Sequence, residues 1–528
     1  MKRTFITVII AICTAALTFA FSFPPQKKLQ YAEQIIEGYY VDTVNTNAIV
    51  EDAIVAMLKK LDPHSTYTNA EETRELTEPL QGNFSGIGIQ FNMLTDTLYV
   101  IQTVAGGPSE RVGILPGDRI IFAQDTLIAG VKMKNSEVMK LLRGKKGSTA
   151  RVKVLRKGVP ELIDFNIVRD DIPIYSVDAA YMAAPEVGYV RISRFAESTA
   201  KELETALKKL KKQGMKNLII DLEENGGGYL NAATDIADMF LNRGDLVVYT
   251  KGDKTRPSNY TTTRNGQYTD GRLVVMVNQY SASASEILSG AIQDQDRGVV
   301  VGRRTFGKGL VQRPFPFPDG SMIRLTVARY YTPSGRCIQK PYSSGDDKNY
   351  DTDILNRYNH GELSNADSIH MPDSLRYYTL KSLRPVYGGG GIMPDIFVPI
   401  DTTTYSNYYR DLVAKGAINR VCTDYIDSHR EMLKKEYRTE DSFIDNFKVS
   451  DSLIEQLKAV GEKEGVKFNA EQFAVSEPTI RRILKALIAR DLFEQRSYYR
   501  VANEGNPVYR EALRIINEPK EYSKILGK

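Results

Sequence analysis

The chain has 528 residues, 42% hydrophobic and 26% charged, a globular balance that excludes a disordered chain, a collagen and a polytopic membrane protein. Its length corresponds to about three domains. Lys and Arg number 70 against 65 Asp and Glu, and a net charge of +5 over so large a surface gives no field that implies nucleic acid.

The first 25 residues read as a targeting element. Lys2 and Arg3 precede an uncharged, mostly apolar run from Phe5 to Phe23, and Ala20-Phe21-Ser22 has the small-x-small form of a cleavage site. The segment is either a cleaved signal peptide or an uncleaved N-terminal membrane anchor, and in both cases the rest of the chain leaves the cytoplasm. Cys13 follows Ile12 rather than a small residue, which argues against a lipoprotein signal. Without that segment two cysteines remain, Cys337 and Cys422, which could pair.

Residues 26–75 read as helical, with apolar residues at helical spacing in IVEDAIVAMLKKL and a stop at Asp62-Pro63-His64. Residues 76–168 change to short β-rich runs with glycine turns. Over 169–400 strands alternate with helices: LIIDL (218–222), LVVMVN (273–278) and VVVG (299–302) read as buried strands, and helices are expected near 230–241 and 284–295. Pro318-Asp319-Gly320 between two strand-like runs predicts a hairpin. The polar stretch 343–375 reads as a surface insertion. Residues 401–528 are helical and charged, without an evident site.

Three stretches carry chemistry. In the first, Gly86-Ile87-Gly88-Ile89 forms a glycine turn entering a strand, which aims successive N–H groups at one point. Such a nest suits a terminal carboxylate, and the strand edge beside it accepts a peptide as an added strand. A turn alone is the plainer account, but Pro108-Ser109-Glu110-Arg111-Val112-Gly113-Ile114-Leu115-Pro116-Gly117-Asp118 follows, and together the two runs resemble a PDZ domain. The resemblance implies a reader of free C-termini through Gly86, Ile87, Gly88 and Ile89. Arg143 either couples that loop to the core or is a solvated loop charge.

In the second, Ser281-Ala282-Ser283-Ala284-Ser285-Glu286 lies between a strand and a helix. Ser283 and Glu286 form a capping box, and a serine at that turn also meets the helix N–H groups and dipole that assist a nucleophile. Downstream, Thr305-Phe306-Gly307-Lys308-Gly309 sets a lone lysine among glycines, with Gln312 four positions on. A lysine serves as base only when neutral, which near pH 7.5 needs a shift of ~3 units from ~10.4, about 4 kcal/mol. Burial provides shifts of that size, and Phe306 would suit such a pocket. In the third, Asp221-Leu222-Glu223-Glu224-Asn225-Gly226-Gly227-Gly228 is a glycine turn after a strand, with no phosphate-loop signature.

Ser-Ala-Ser-Ala-Ser-Glu-Ile, Asp296-Arg297-Gly298-Val299-Val300-Val301-Gly302 and Thr-Phe-Gly-Lys-Gly-x-Val-Gln together resemble the C-terminal processing (tail-specific) serine peptidases. So do Leu61-Asp62-Pro63-His64-Ser65, Tyr331-Thr332-Pro333-Ser334-Gly335-Arg336 and Gly391-Ile392-Met393-Pro394-Asp395. The resemblance implies Ser283, Lys308 (25 positions on) and Gln312 (four further) as the catalytic set. It also implies an oxyanion hole from Ala284 and Gly227 or Gly228. Where the family usually has Asn-Pro-Gly-Gly, Gly226 replaces the proline. The implied fold is α/β multidomain: a crotonase/Clp-protease-like peptidase core with an inserted β-rich PDZ domain, an N-terminal helical segment and a C-terminal helical extension.

The expected protein is therefore an exported serine endopeptidase of the bacterial cell envelope, in the periplasm or at the periplasmic face of the inner membrane. Its partners would be protein or peptide substrates with free C-terminal tails, and no metal, cofactor or nucleic acid is expected. A membrane tether and a homo-oligomer stay open. His64 reads as structural, and Asp221 and Glu223 read as turn or salt-bridge residues. The rivals are a PDZ-type binding scaffold with a dead peptidase core and a crotonase-like acyl transfer enzyme.

Overall fold

The computed structural model describes residues 24–94, 96–345 and 350–528. The targeting segment expected over 1–25 lies almost wholly outside them, and among the described residues no helix is long and apolar enough to cross a membrane.

At the centre is a six-stranded sheet in the order Val177–Ala184, Val187–Ile192, Asn217–Asp221, Leu273–Val277, Val299–Gly302, Ile396–Phe397. The first pair is antiparallel and the others are parallel. Both faces are buried, which is why LIID, LVVMV and VVVG are continuous apolar runs rather than alternating ones. Their period-2 geometry sends Leu218, Ile220, Val275, Val277 and Val300 to one face, against the helices Thr199–Lys212, Leu230–Ala237 and Ala284–Asp294. Ile219, Val274, Met276, Val299 and Val301 go to the other, where Val508, Ala512, Ile515 and Ile516 of the helix Pro507–Asn517 cover them. The helix Pro507–Asn517 near the chain's end is thus a layer of this central core.

A second sheet holds Thr66–Thr68, Met322–Tyr331, Leu246–Gly252 and Thr255–Thr261, with Leu310–Pro316 also paired to Met322–Tyr331. The hairpin around Pro318-Asp319-Gly320 forms as expected. Its register breaks between Val311 and Gln312, a bulge that re-aims the Gln312 side chain.

The N-terminal region is less uniformly helical than its composition suggests. Helices Pro25–Tyr39, Thr46–Leu58 and Ala70–Gln81 are interrupted by the strand Thr66–Thr68: the helical run ends at Leu58, short of the expected stop at Asp62-Pro63-His64, and residues beyond Pro63 pair with the second sheet. The helix near 230–241 is also shorter than expected, ending at Ala237.

The inserted β-rich domain has its own core, which includes Leu98, Val100, Ile120, Val138, Val152, Val154 and Ile167. Strands Asn83–Gly86 and Asp170–Pro173 pair antiparallel at its root. Ile89–Leu94 is one edge strand of its sheet and Ile163–Val168 the other. Helices from Asn407 to Ala502 form a further unit around Leu412, Ile418, Phe443, Leu457, Ile480 and Leu484. Cys422 is buried in this unit and Cys337 is half-buried beside Tyr331 of the second sheet; both are free thiols, so the pairing that two cysteines left open does not form.

Candidate active site

Ser283 stands at the tip of the turn between strand Leu273–Val277 and helix Ala284–Asp294, with φ 56° and ψ −113°. A non-glycine residue held there is strained, and such strain persists only where surrounding bonds over-determine it. Glu286 supplies one of them: Ser283 N–H donates to its Oε2 at 2.8 Å. The capping box is therefore present, and Glu286 does more than cap. It is fully buried, and it also accepts from Lys308 N–H at 2.9 Å, from Gly307 N–H at 2.7 Å and from Thr305 Oγ1 at 2.6 Å. One carboxylate thus ties the Ser283 turn to the Lys308 loop. Burial raises its pKa against those four donors. Sequence reasoning saw only the S-x-x-E cap, since the four donors come from both sides of a 25-residue gap.

Lys308 Nζ donates to Gln312 Oε1 at 3.0 Å. Gln312 Nε2 donates to the His64 carbonyl at 2.5 Å, so the Asp62-Pro63-His64-Ser65 segment holds the glutamine. Asp62 fixes that segment, accepting from Ser65 Oγ at 2.6 Å and from Thr326 Oγ1 at 2.9 Å. Tyr330 Oη donates to the Lys308 carbonyl. Burial, then the nearby Arg324 guanidinium, lowers the Lys308 pKa from 10.5 to about 8. That shift is somewhat smaller than the ~3 units the sequence argument asked of it. The Phe306 ring, expected to line a pocket for Lys308, carries a different lysine: the Lys340 ammonium sits over it at 4.0 Å.

Among the described residues Ser283 Oγ and Lys308 Nζ share no hydrogen bond, and no histidine bonds Ser283. His64 Nε2 pairs with Tyr350 Oη at 2.7 Å, and burial followed by the Lys308 charge lowers its pKa to about 3. It stays neutral at any working pH and acts through its backbone carbonyl.

The glycine turn lies against the serine. A Cβ on Gly227 would come within 2.7 Å of the Ala282 carbonyl, 2.8 Å of Ser283 Cβ and 2.9 Å of Ala284 N. Asn225 shapes the turn: its Oδ1 accepts from Gly227 N–H at 2.8 Å, its Nδ2 donates to the Ile192 carbonyl, and its carbonyl accepts from Ala282 N–H and Ser285 Oγ. The Gly227 N–H is thereby committed. Those of Gly228 and Ala284 have no acceptor among the described residues, which favours Gly228 over Gly227 as the partner of Ala284. Asp221 and Glu223 are buried in ion pairs, Asp221 with Arg191 at 2.6 Å and Glu223 with Arg303 at 3.6 Å.

In the β-rich domain Gly88 has φ 74°, and the Ile87 carbonyl accepts from Ser109 N–H and Oγ at 3.0 and 2.6 Å. Ser109 thus locks the turn, while the N–H groups of Ile87 and Gly88 have no acceptor among the described residues. Ile89 begins the edge strand. Arg143 is not a solvated loop charge: its Nη1 pairs with Glu78 of the helix Ala70–Gln81 at 2.5 Å, and its guanidinium covers the Phe84 ring at 4.6 Å. It therefore links the domain beside Gly86 to the helix that follows the Gln312-holding segment. Among the described residues no group of three His, Cys, Asp or Glu side chains is placed to hold a metal ion.

Residues 186–347 match peptidase family S41, residues 85–167 a PDZ domain, and residues 19–73 the N-terminal domain of the activating protease CtpB. Residues 408–494 match a family of unknown function. A carboxy-terminal-processing protease of Bartonella bacilliformis is 36% identical over 309 residues, 58% of this chain and 70% of its own length. The carboxy-terminal processing protease CtpA of Bacillus subtilis is 33% identical over 358 residues, 64% of this chain and 75% of its own. A photosystem II D1 C-terminal processing protease of known structure is 30% identical, over 61% of this chain and 92% of its own, with a TM-score of 0.34. The chain belongs to the carboxy-terminal processing serine peptidases of family S41 and carries their PDZ domain.

Proposed function

We propose that the chain is an exported serine endopeptidase that captures a substrate's free C-terminal tail in its PDZ domain and cuts a peptide bond nearby, using Ser283, Lys308 and Gln312. The observation that carries this reading is the buried Lys308 ammonium, bonded to Gln312 and tied through Glu286 to the strained Ser283 turn. Keeping a lysine buried at a cost is expected of a base and not of a scaffold.

In the proposed mechanism neutral Lys308 takes the Ser283 hydroxyl proton as Oγ attacks the scissile carbonyl. The N–H groups of Ala284 and Gly228 receive the developing oxyanion. Lys308 then passes the proton to the leaving amine, and the acyl-enzyme forms. A water molecule gives a proton to Lys308 and attacks the ester, releasing the new C-terminus and restoring the serine. Gln312 aims the amine. The Lys308–Gln312 bond is a resting arrangement, since catalytic hydrogen bonds tighten on substrate binding.

Tail recognition rests on the Gly86-Ile87-Gly88-Ile89 turn, where the N–H groups of Ile87 and Gly88 are left for a carboxylate, and on the Ile89–Leu94 edge as template for an added strand. Arg143 would report occupancy to the core through Glu78. The export reading rests on the Lys2-Arg3 and Phe5–Phe23 pattern.

The test pairs protein from residue 26 with its Ser283→Ala and Arg143→Ala variants. Each receives an unstructured substrate with a free apolar C-terminus, and the same substrate amidated. Cleavage that needs Ser283, runs faster on the free carboxylate and loses that preference in Arg143→Ala supports the proposal. Serine-dependent cleavage indifferent to amidation removes the tail reading, and binding without cleavage leaves only a scaffold.

A further inference from the structure

The glycine turn beside Ser283 is held from behind by side chains that the mechanism above does not use. Glu223, five positions before Gly228, is buried, and its Oε2 accepts from Asn506 Nδ2 at 2.6 Å. Its Oε1 lies 3.6 Å from Arg303 Nη2, and its carbonyl accepts from Arg191 Nη2 at 2.9 Å. Arg303 also donates through Nε to Gln279 Oε1 at 2.9 Å, in the loop leading to Ser283. One guanidinium therefore braces both halves of the candidate oxyanion hole.

Asn506 is equally well placed on its own side. It caps the helix Pro507–Asn517, its Oδ1 accepting from Val508 N–H at 2.9 Å and Tyr509 N–H at 3.4 Å. That helix is anchored to the back of the central sheet through Val508, Ala512, Ile515 and Ile516. Asn506 also lies outside every segment matched to a known family. A buried carboxylate is costly unless it holds something. Burial, then the neighbouring Asp221, pushes Glu223 up to about 7, against Asn506, Arg303 and Arg191, which favour its charged form.

We infer that Asn506, Glu223 and Arg303 are positioning residues for the oxyanion hole, through which the C-terminal helical layer sets the aim of the Gly227-Gly228 turn. The inference rests on the serine-peptidase reading. The charged groups facing Glu223 are Asp221 at the end of the strand before it, Arg191 from Val187–Ile192 and Arg303 after Val299–Gly302. Glu224 faces Arg303 in turn. With Asn506 lost or Glu223 neutral, the turn keeps its glycines and Asn225 but loses its outer brace.

The test uses protein from residue 26 carrying Asn506→Asp, Asn506→Ser or Glu223→Gln, measuring kcat and KM per folded molecule from pH 5.5 to 9. Asp and Ser both keep the helix cap. Neither offers an amide to Glu223, and Asp faces it with like charge. Loss of a whole oxyanion donor costs ~10²–10³ in rate, so a mis-aimed one is expected to lower kcat about tenfold with KM within about twofold. Affinity for a peptide aldehyde, whose adduct places an oxyanion in the hole, falls by the same factor. In wild type loss of a proton from Lys308 and loss of one from Glu223 both favour the active form, so log kcat/KM falls between pH 8 and 6 more steeply than the slope of about 1 that Lys308 alone gives, and Glu223→Gln restores a slope of about 1. Wild-type kcat and aldehyde affinity in either cap-keeping variant overturns the inference. Undiminished cleavage by Ser283→Ala would instead overturn the peptidase reading beneath it.

Discussion

In the proposed mechanism the charge on Lys308 decides whether Ser283 can be activated, and burial sets the pH at which that charge is lost. Burial and Arg324 bring its pKa from 10.5 to about 8. About 9% of the lysine is then neutral at pH 7, about half at pH 8 and about 90% at pH 9, whereas an ordinary lysine is about 0.03% neutral at pH 7. With chemistry limiting, Lys308 alone should raise kcat/KM about tenfold from pH 7 to 9, after which it levels off, and ionisation of Glu223 adds about a further twofold. The same shift costs stability. The folded-state value lies below the unfolded one, so the full penalty of about 3 kcal/mol is present below pH 8 and fades as pH rises from about 8 to 10.5. Lys308→Met should therefore abolish cleavage yet stabilise the fold at pH 7. The gain is about 1–2 kcal/mol, because Gln312 Oε1 loses its donor. Rate profiles on a tail-bearing peptide and denaturant unfolding at pH 7 and 10 measure both halves. A flat profile from pH 6 to 9, a Lys308→Arg variant that cleaves, or a Lys308→Met variant less stable than wild type would refute the reasoning.

Gln312→Glu sets a carboxylate about 3.0 Å from the Lys308 amine, which raises a lysine pKa by ~1–3 units; the rate rise should move up by that interval in the same pH assay. Glu286→Gln leaves one acceptor oxygen where the carboxylate now receives four hydrogen bonds. It should cost about 3 kcal/mol in denaturant unfolding and lower kcat by more than about 100-fold. Gly227→Ala meets Ala282, Ser283 and Ala284 within 2.9 Å at a φ of +99°, whereas a Cβ on Gly226 meets nothing within 4 Å. The first should be inactive and the second should cleave within about twofold of wild type, a contrast that steady-state rates check directly.

Much of this site was legible because its chemistry lies in short spacings. Ser283, Lys308 and Gln312 follow one another at intervals that resemblance to a peptidase family assigns, and the structure brings the lysine and glutamine into contact. The glycine turn was visible too, but not which N–H is spare, since that depends on Asn225 capturing Gly227. Glu286 was read as a cap because a sequence shows the three-residue spacing of a capping box and not the backbone donors of a distant loop. The Gln312 Nε2–His64 carbonyl bond spans 248 positions and the Glu223–Asn506 bond 283; neither leaves a local signature. Arg143 was ambiguous for the same reason, its partner Glu78 lying on a helix 65 positions earlier.

The C-terminal region was expected to be helical, yet nothing in its periodicity told which helices cover the sheet and which form a separate unit. The distinction has a measurable consequence. Truncation after residue 400 removes the helix Pro507–Asn517 and bares Val187, Tyr189, Ile219, Val274, Met276, Val299 and Val301, all fully buried in the whole chain. At ~1.5–3 kcal/mol for each side chain, roughly 10–20 kcal/mol of burial is lost. That equals or exceeds the ~5–15 kcal/mol by which a domain is stable at all. The truncated chain should show no cooperative thermal unfolding. Excising residues 87–169 is the control, because the β-rich domain has its own core and joins the rest at the paired strands Asn83–Gly86 and Asp170–Pro173. With a short Gly-Ser linker across that root, the remainder should unfold cooperatively and keep Ser283-dependent cleavage while losing preference for a free tail. A truncated chain that melts like the whole one would mean that the terminal helices are an accessory and not a layer of the core. The brace from Asn506 to the glycine turn would then lose its footing.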